Sequence, residues 1–113
     1  KKDIIFLGQQ NNISKYIKNS ICGLANLKIA TGIQGKVLSY MSYGLPVICS
    51  KKVSLNFKNS VISYNNNSEL ILSIVKLRNS KNISNEFSKK SLKFAKLFNE
   101  NKVCSKYLKI VKF

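Results

Sequence analysis

A glycine-bearing segment that ends in a lysine is the part of this sequence best suited to chemistry. Gly32 and Gly35 stand close together, and Lys36 follows directly. Glycines let the backbone approach a ligand closely, and the free N–H groups at a helix start attract anions. Lysine adds a mobile positive charge for phosphate. The segment, with Ile33 and Gln34 between the glycines, therefore predicts a phosphate-binding loop that leads into a helix.

The residues after the glycines predict an amphipathic helix over 34–43 and a buried strand over 46–49. The inner face of that helix is expected to carry Val37, Leu38 and Met41. Gly44 suits the left-handed residue that closes a helix, and Pro46 at the first position of a strand gives up no needed hydrogen bond. The same two residues would end a helix and begin a strand in any α/β protein, and Lys36 is also compatible with an ordinary solvated lysine.

Strand and helix patterns alternate along the chain. Residues 3–8, 21–25 and 61–64 predict further strands, and residues 12–20 predict a helix between the first two. That helix would face inward with Ile13, Tyr16 and Ile17. This alternation predicts an α/β fold, a Rossmann-like three-layer domain with a parallel sheet and C-terminal helices.

Between the strands over 46–49 and 61–64 we expect an irregular stretch, and after them three helices. Asn66 stands three residues before Glu69, which predicts a capping-box-like start of a helix that runs to about Asn79. Its apolar stripe is expected to be Leu70, Ile71, Ile74, Val75 and Leu77. A second helix from Ser84 would bury Phe87, Phe94 and Phe98, and a third from about Lys102 would present Val103, Tyr107 and Ile110.

The charge of the chain is strongly positive, at +16 over 113 residues. Arg78 is the one arginine among 20 basic residues, whereas base readout and phosphate forks favour arginine. The lysines are also spread along the chain. A solvated lysine-rich surface is therefore the leading interpretation, peripheral contact with anionic lipid the second, and nucleic acid the third.

The three cysteines, Cys22, Cys49 and Cys104, lack metal-ligand spacing, and the chain has no histidine. These facts exclude a zinc finger, a Cys–His pair and a Ser–His–Asp triad within this chain. Cysteines in apolar contexts are typical of small buried side chains in a reducing compartment. No secretory signal or transmembrane run is visible. We therefore expect a cytoplasmic protein, at most peripheral at the inner face of the cell membrane, with no metal and no cofactor.

The segment from Gly32 to Ser50 resembles the nucleotide-sugar-binding half of the group 1 glycosyltransferases of GT-B fold. Their signature runs loosely Gly-x-x-x-Lys-x-x-Glu-x-Met-Ala-x-Gly-x-Pro-Val-x-x-Ser. This chain supplies in register Gly32, Lys36, Met41, Gly44, Pro46, Val47 and Ser50. The upstream Phe6-Leu7-Gly8 matches the Phe-x-Gly strand of the family, so the resemblance covers nearly the whole chain.

The resemblance implies that residues 1–113 are a single partial domain, the donor-binding half of a longer enzyme. An acceptor domain and any catalytic base would lie outside this chain, and the fragment alone would be inactive. The implied donor is a nucleotide-diphosphate sugar, and the implied acceptor is a sugar or lipid-linked molecule of bacterial cell-surface polysaccharide or glycoconjugate assembly. Gly8 would end the first strand at the ligand-bearing edge, and residues 32–36 would receive the diphosphate.

The family commonly carries two glutamates eight positions apart, and this chain has Thr31 and Ser39 at those positions. The resemblance implies that Ser39 faces the ribose and that Thr31 lies near the donor sugar. Both side chains are short and neutral, so they offer single contacts or contacts through water. Ser39 therefore indicates either a different nucleotide arrangement or a weak or retired site.

Three functions stay open on the sequence. The first is donor binding within a glycosyltransferase. The second is a non-catalytic Rossmann-like binding module with a degenerate site, which Thr31 and Ser39 favour and the intact glycine loop opposes. The third is half of a GT-B nucleotide-sugar epimerase, since that chemistry shares the fold.

Overall fold

A computed structural model describes residues 4–6, 8, 14–26 and 35–100 of the chain, without the side chains of residues 99 and 100. The predicted helix from Lys102 lies outside these residues. The elements in chain order are α1 (Ser14–Ile17), β1 (Gly23–Ala25), α2 (Gly35–Ser42), β2 (Val47–Ser50), α3 (Lys51–Ser54), a 3-10 turn (Lys58–Ser60), β3 (Ile62–Tyr64), α4 (Asn67–Asn79) and α5 (Lys81–Glu100).

The three strands form one parallel sheet in the order β1-β2-β3. Val47 pairs with Gly23 on one side of β2, and Ile48 pairs with Ile62 on the other. Parallel neighbours need crossover connections, and α2 supplies one between β1 and β2. The predicted α/β fold with a parallel sheet and flanking helices is confirmed, and it is compatible with part of a Rossmann-like domain.

The central strand β2 is buried on both faces, as its uninterrupted apolar run predicts. Val47 and Cys49 belong to one hydrophobic cluster with the inner face of α2 and with Phe57 from the segment before the 3-10 turn. Ile48 belongs to a second cluster, on which α4 packs. Val37 and Met41 are fully buried and Leu38 packs against the same cluster, so the predicted inner face of α2 is confirmed.

The turn from α2 to β2 adopts the predicted left-handed geometry, because Gly44 has a φ of 77°. Its N–H donates to the carbonyl of Met41 at 2.9 Å, which closes the helix. Two serines of α5 satisfy the carbonyls that follow. Ser88 Oγ donates to the Gly44 oxygen at 2.6 Å, and the fully buried Ser91 donates to the Leu45 oxygen at 2.9 Å. Long-range side-chain bonds therefore dock α5 onto this turn.

The start of α4 also follows the sequence prediction. The side chain of Asn66 accepts a hydrogen bond from the Glu69 N–H at 2.9 Å. Glu69 returns a contact one residue earlier than a standard capping box does, since its Oε1 accepts from the Asn65 N–H at 2.9 Å. Two backbone donors are thus satisfied at the end of β3.

The N-terminal prediction was wrong in part. Residues 4–6 form no strand and are not buried, since Ile4, Ile5 and Phe6 are 56%, 79% and 90% exposed. An apolar run becomes a strand only where a neighbouring strand satisfies its backbone, and β1 pairs only with β2 within the described residues. Tyr16 is 36% exposed instead of inward, whereas Ile17 is buried as predicted.

Four further predictions needed correction. The stretch after β2 is not irregular, because α3 and the 3-10 turn fill it. α5 begins at Lys81 and not at Ser84, because Ser80 Oγ accepts from the Ile83 N–H at 3.2 Å and so caps an earlier first turn. In α4, Ile71 and Val75 are exposed, because only the side that faces β3 and α5 is covered.

The aromatic rings of α5 are half-buried, and Phe94 packs on Phe57 with ring centroids 5.3 Å apart.

Replacing Gly44 by alanine tests the left-handed turn. A Cβ there would lie 3.3 Å from Leu92 and from Ser88 Oγ, in a backbone conformation that L-residues avoid. We expect the free energy of unfolding to fall by about 1–2 kcal/mol in urea titrations followed by circular dichroism. Gly35→Ala is the matched control, since a Cβ at Gly35 meets nothing within 4 Å. Equal losses in both variants would contradict this account of the turn.

Replacing Asn66 by alanine tests the cap of α4. The Glu69 N–H loses its acceptor, so we expect a loss of about 1 kcal/mol in the free energy of unfolding. Asn67→Ala, at the exposed first residue of the helix, is expected to leave it unchanged within about 0.5 kcal/mol. A loss at position 67 that matched the loss at position 66 would show that the cap is not the cause.

Candidate functional site

The carboxyl ends of the three strands define one edge of the sheet, which we call the carboxyl edge. β1 ends at Ala25, β2 at Ser50 and β3 at Tyr64. α2 follows β1 in the chain and begins at Gly35. Residues 27–34 lie outside the described residues. In open α/β sheets, ligands bind beyond this edge.

Gly35 and Lys36 open α2 at the carboxyl edge, and both are exposed. A Cβ built on Gly35 would meet no atom within 4 Å, so no neighbouring side chain among the described residues requires a glycine there. The first N–H groups of a helix have no partner within the helix, and at the start of α2 the side chain of Lys36 adds an ammonium. Both attract an anion that approaches the start of α2.

Ser39 lies one turn further along α2, half-buried, on the side of the helix that carries Lys36. Its carbonyl accepts a hydrogen bond from Ser42 Oγ at 2.7 Å. The structure thus brings together three of the predicted site residues, namely Gly35, Lys36 and Ser39.

The other predicted site residues divide into two groups. Thr31, Gly32, Ile33 and Gln34 lie outside the described residues. Gly8 is exposed and does not end a strand as predicted, but its φ of 67° is one that glycine adopts at little cost.

Cys49 is a residue of this edge that the sequence analysis assigned only to packing. It is fully buried near the end of β2, and burial raises the pKa of its thiol to about 12, although the nearby charge of Lys36 acts in the opposite direction. The ammonium of Lys36 therefore lies close enough to β2 for its charge to lower the pKa of the Cys49 thiol. The spacing of the two residues along the chain gives no sign of this proximity, which arises from the packing of α2 on β2.

Tyr64 ends β3 at the same edge, and its hydroxyl is buried with no hydrogen-bond partner among the described residues. Burial raises the pKa of this hydroxyl, and the neighbouring Cys49 raises it further. Both groups stay neutral at physiological pH, so neither adds charge to the site.

The fixed charges of the carboxyl edge are mainly positive. Lys51 and Lys52 follow β2 directly and are exposed. Glu69 is the acidic residue nearest in sequence to the end of β3, and it is engaged by Asn65 at 2.9 Å and 3.3 Å. The arrangement suits an anionic ligand better than a cation. In the part of the chain that the structure describes, no group of three or more His, Cys, Asp or Glu side chains is placed to hold a metal ion.

No helix within the described residues combines the length and the apolar character that crossing a membrane requires. Comparison with known proteins gave no match to a family model, a curated protein or a solved structure.

The buried thiol of Cys49 predicts a pH dependence of stability. An unfolded thiol loses its proton near pH 9, whereas the folded one holds it to about pH 12. The contribution of Cys49 to stability is therefore full below pH 9 and declines above it, by on the order of 1 kcal/mol per pH unit.

Urea titrations of the wild type and of Cys49→Ala, from pH 8 to pH 10.5, check this expectation. At pH 8 the wild type should have the larger free energy of unfolding, because the alanine leaves a cavity in the core. This difference should shrink as the pH rises above 9. Lysine titration affects both proteins alike. A difference that stays constant over this range would show that the folded thiol ionises normally.

Proposed function

We propose that this chain is the nucleotide-sugar donor-binding part of a glycosyltransferase, which transfers a sugar to a cell-surface polysaccharide or glycoconjugate acceptor. The observation that carries the proposal is the position of Gly35 and Lys36. They open α2 at the carboxyl edge of a parallel sheet, and a Cβ on Gly35 would meet no atom of the described residues within 4 Å. The order of residues through Gly44, Pro46 and Ser50, which resembles the GT-B signature, adds to it.

In this proposal the diphosphate of the donor binds at the start of α2. The N–H groups of the first turn and the Lys36 ammonium face charge that grows on the nucleoside diphosphate as the sugar leaves. Groups fixed in place before the reaction stabilise such charge without reorganising. Residues 31–34 would complete the loop around the phosphates and the sugar.

Ser39 would contact the ribose in the same proposal. It lies one turn beyond Lys36 on the same side of α2. A nucleotide with its phosphates at Lys36 would therefore place its ribose near Ser39. A hydroxyl makes one or two neutral hydrogen bonds, whereas a carboxylate makes stronger charge-assisted ones. We therefore expect modest affinity for the nucleoside part.

The acid–base chemistry of transfer is assigned to an acceptor domain outside this chain. The sequence contains no histidine and four acidic residues, of which Glu69 caps α4 and Glu86 pairs with Lys90 at 2.9 Å. The excess of lysine fits a cytoplasmic enzyme that works beside anionic lipid, where a membrane-linked acceptor would be met.

The test is an NMR titration of the chain with UDP, GDP and CMP and with their common sugar conjugates. We expect shifts centred on Gly35, Lys36 and Ser39, and about tenfold weaker binding in Lys36→Gln, because a charge-assisted contact is lost. Lys89→Gln is the matched control, since Lys89 is exposed on α5 and makes no ion pair within the described residues. It should leave the affinity unchanged within about twofold.

Ser39→Glu sharpens the same experiment. If Ser39 faces the ribose, a glutamate there gains two charge-assisted hydrogen bonds with the ribose hydroxyls. The nucleotides should then bind more tightly, while inorganic pyrophosphate should not. No shifts at millimolar ligand in the wild type and in Ser39→Glu, with both proteins folded, would overturn the proposal. A non-catalytic binding module would then be the better interpretation.

A further inference from the structure

A cleft of about 800 Å³ lies at the amino edge of the sheet, the edge opposite the carboxyl edge. It is formed where α1, the turn from α2 to β2 and the junction of α4 with α5 meet. Its volume is that of a small-molecule site. Nothing in the proposed donor chemistry uses it.

The rim of the cleft is basic. Four exposed cationic side chains line it, namely Lys15, Lys18, Arg78 and Lys81. No acidic residue lines it, and none of the four forms an ion pair within the described part of the chain. Four like charges around one concave surface repel one another unless an anion or solvent ions neutralise them, so the cleft attracts anions strongly.

The floor of the cleft is apolar. Buried side chains line it, namely Ile17, Leu45, Pro46 and Leu77. Tyr43 and Ile21 add half-exposed apolar surface beside them, at 49% and 42%. A solvated lysine-rich surface has no such floor. The combination suits a ligand that has both an anionic group and an apolar part.

Hydrogen-bond donors also line the cleft. Ser84 and Asn85 of α5 line the cleft with a hydroxyl and an amide, one turn beyond Lys81. Arg78 is the single arginine of the chain, and its guanidinium can bind two oxygens of one phosphate. Because α4 ends where α5 begins, the two helix dipoles oppose each other there, and the side-chain charges decide the sign.

We propose that this cleft binds a phosphate group attached to an apolar or aromatic moiety. Arg78 and Lys81 bind the phosphate, Ser84 and Asn85 donate hydrogen bonds to it, and the floor covers the apolar part. The ligand is either a soluble organic phosphate or the phosphate headgroup of a lipid, since both have this chemistry. The proposal is independent of donor binding, because it concerns the opposite edge of the sheet.

The first experiment uses phenyl phosphate, inorganic phosphate and phenol as NMR probes of the full chain. We expect phenyl phosphate to shift residues of the cleft, at a lower concentration than either of the other two probes, because only it fills both rim and floor. In Arg78→Gln/Lys81→Gln we expect binding to weaken at least tenfold. The control is Lys89→Gln/Lys93→Gln, which removes the same charge from exposed positions of α5 outside the cleft.

The second experiment distinguishes the two sources of the phosphate. Vesicles of phosphatidylcholine, with and without phosphatidic acid, are sedimented with the wild type and with both double variants. Sedimentation that requires phosphatidic acid and is lost only in the cleft variant would identify a lipid headgroup. Phenyl phosphate binding without such sedimentation would identify a soluble ligand.

Two results would overturn the proposal. One is equal weakening in the cleft variant and in the control, which would show general attraction to a positive surface. The other is the absence of both cleft shifts and cleft-dependent sedimentation. Thermal unfolding of the variants excludes misfolding as a cause, and shifts confined to Gly35 and Lys36 would report the donor site instead.

Discussion

The docking of α5 onto the turn between α2 and β2 is the constraint on which the rest of this structure depends. The turn requires a left-handed glycine, and Ser88 and Ser91 satisfy its two carbonyls, of which that of the buried Leu45 would be orphaned in the core without Ser91. Once α5 holds this turn, the direction of α2 is set. The start of the helix then lies at the carboxyl edge, and the turn that follows its end forms part of the cleft at the amino edge. One turn thus positions both of the surfaces to which we assign ligands.

The burial of the central strand explains why the polar groups of Cys49 and Tyr64 add no charge to the carboxyl edge. β2 is covered on one face by α2 and α5 and on the other by α4, so Cys49 and the hydroxyl of Tyr64 are removed from water close to the site. Burial keeps both groups neutral at physiological pH. The electrostatics of the carboxyl edge are therefore set by Lys36, by neighbouring lysines and by the start of α2.

Local rules predicted the elements whose cause is local. The helix over 34–43, its closure at Gly44, the strand that follows Pro46 and the cap at Asn66 depend on residues a few positions apart, and the structure contains all of them. The strand over 3–8 failed, because a strand needs a partner that the local sequence does not specify. The predicted inward position of Ile71 and Val75 was wrong for a related reason. The periodicity predicts an apolar stripe on the helix, but it does not show how much of that stripe a neighbouring element covers. The nearness of Lys36 to Cys49 and the whole of the basic cleft arise from tertiary packing, and no spacing in the sequence points to either.

The two edges of the sheet attract anions by different physical means, and this difference argues for two distinct ligands. At the carboxyl edge, α2 presents its positive end, so in the donor-binding proposal one lysine and the backbone would suffice for a phosphate. At the amino edge the same helix presents its negative end, which weakens the attraction. There the four cations of the rim must supply the positive potential, and the apolar floor adds a hydrophobic contact. In the two proposals, a ligand of the first edge is held through its phosphates and its ribose, whereas a ligand of the second edge must also bring an apolar part.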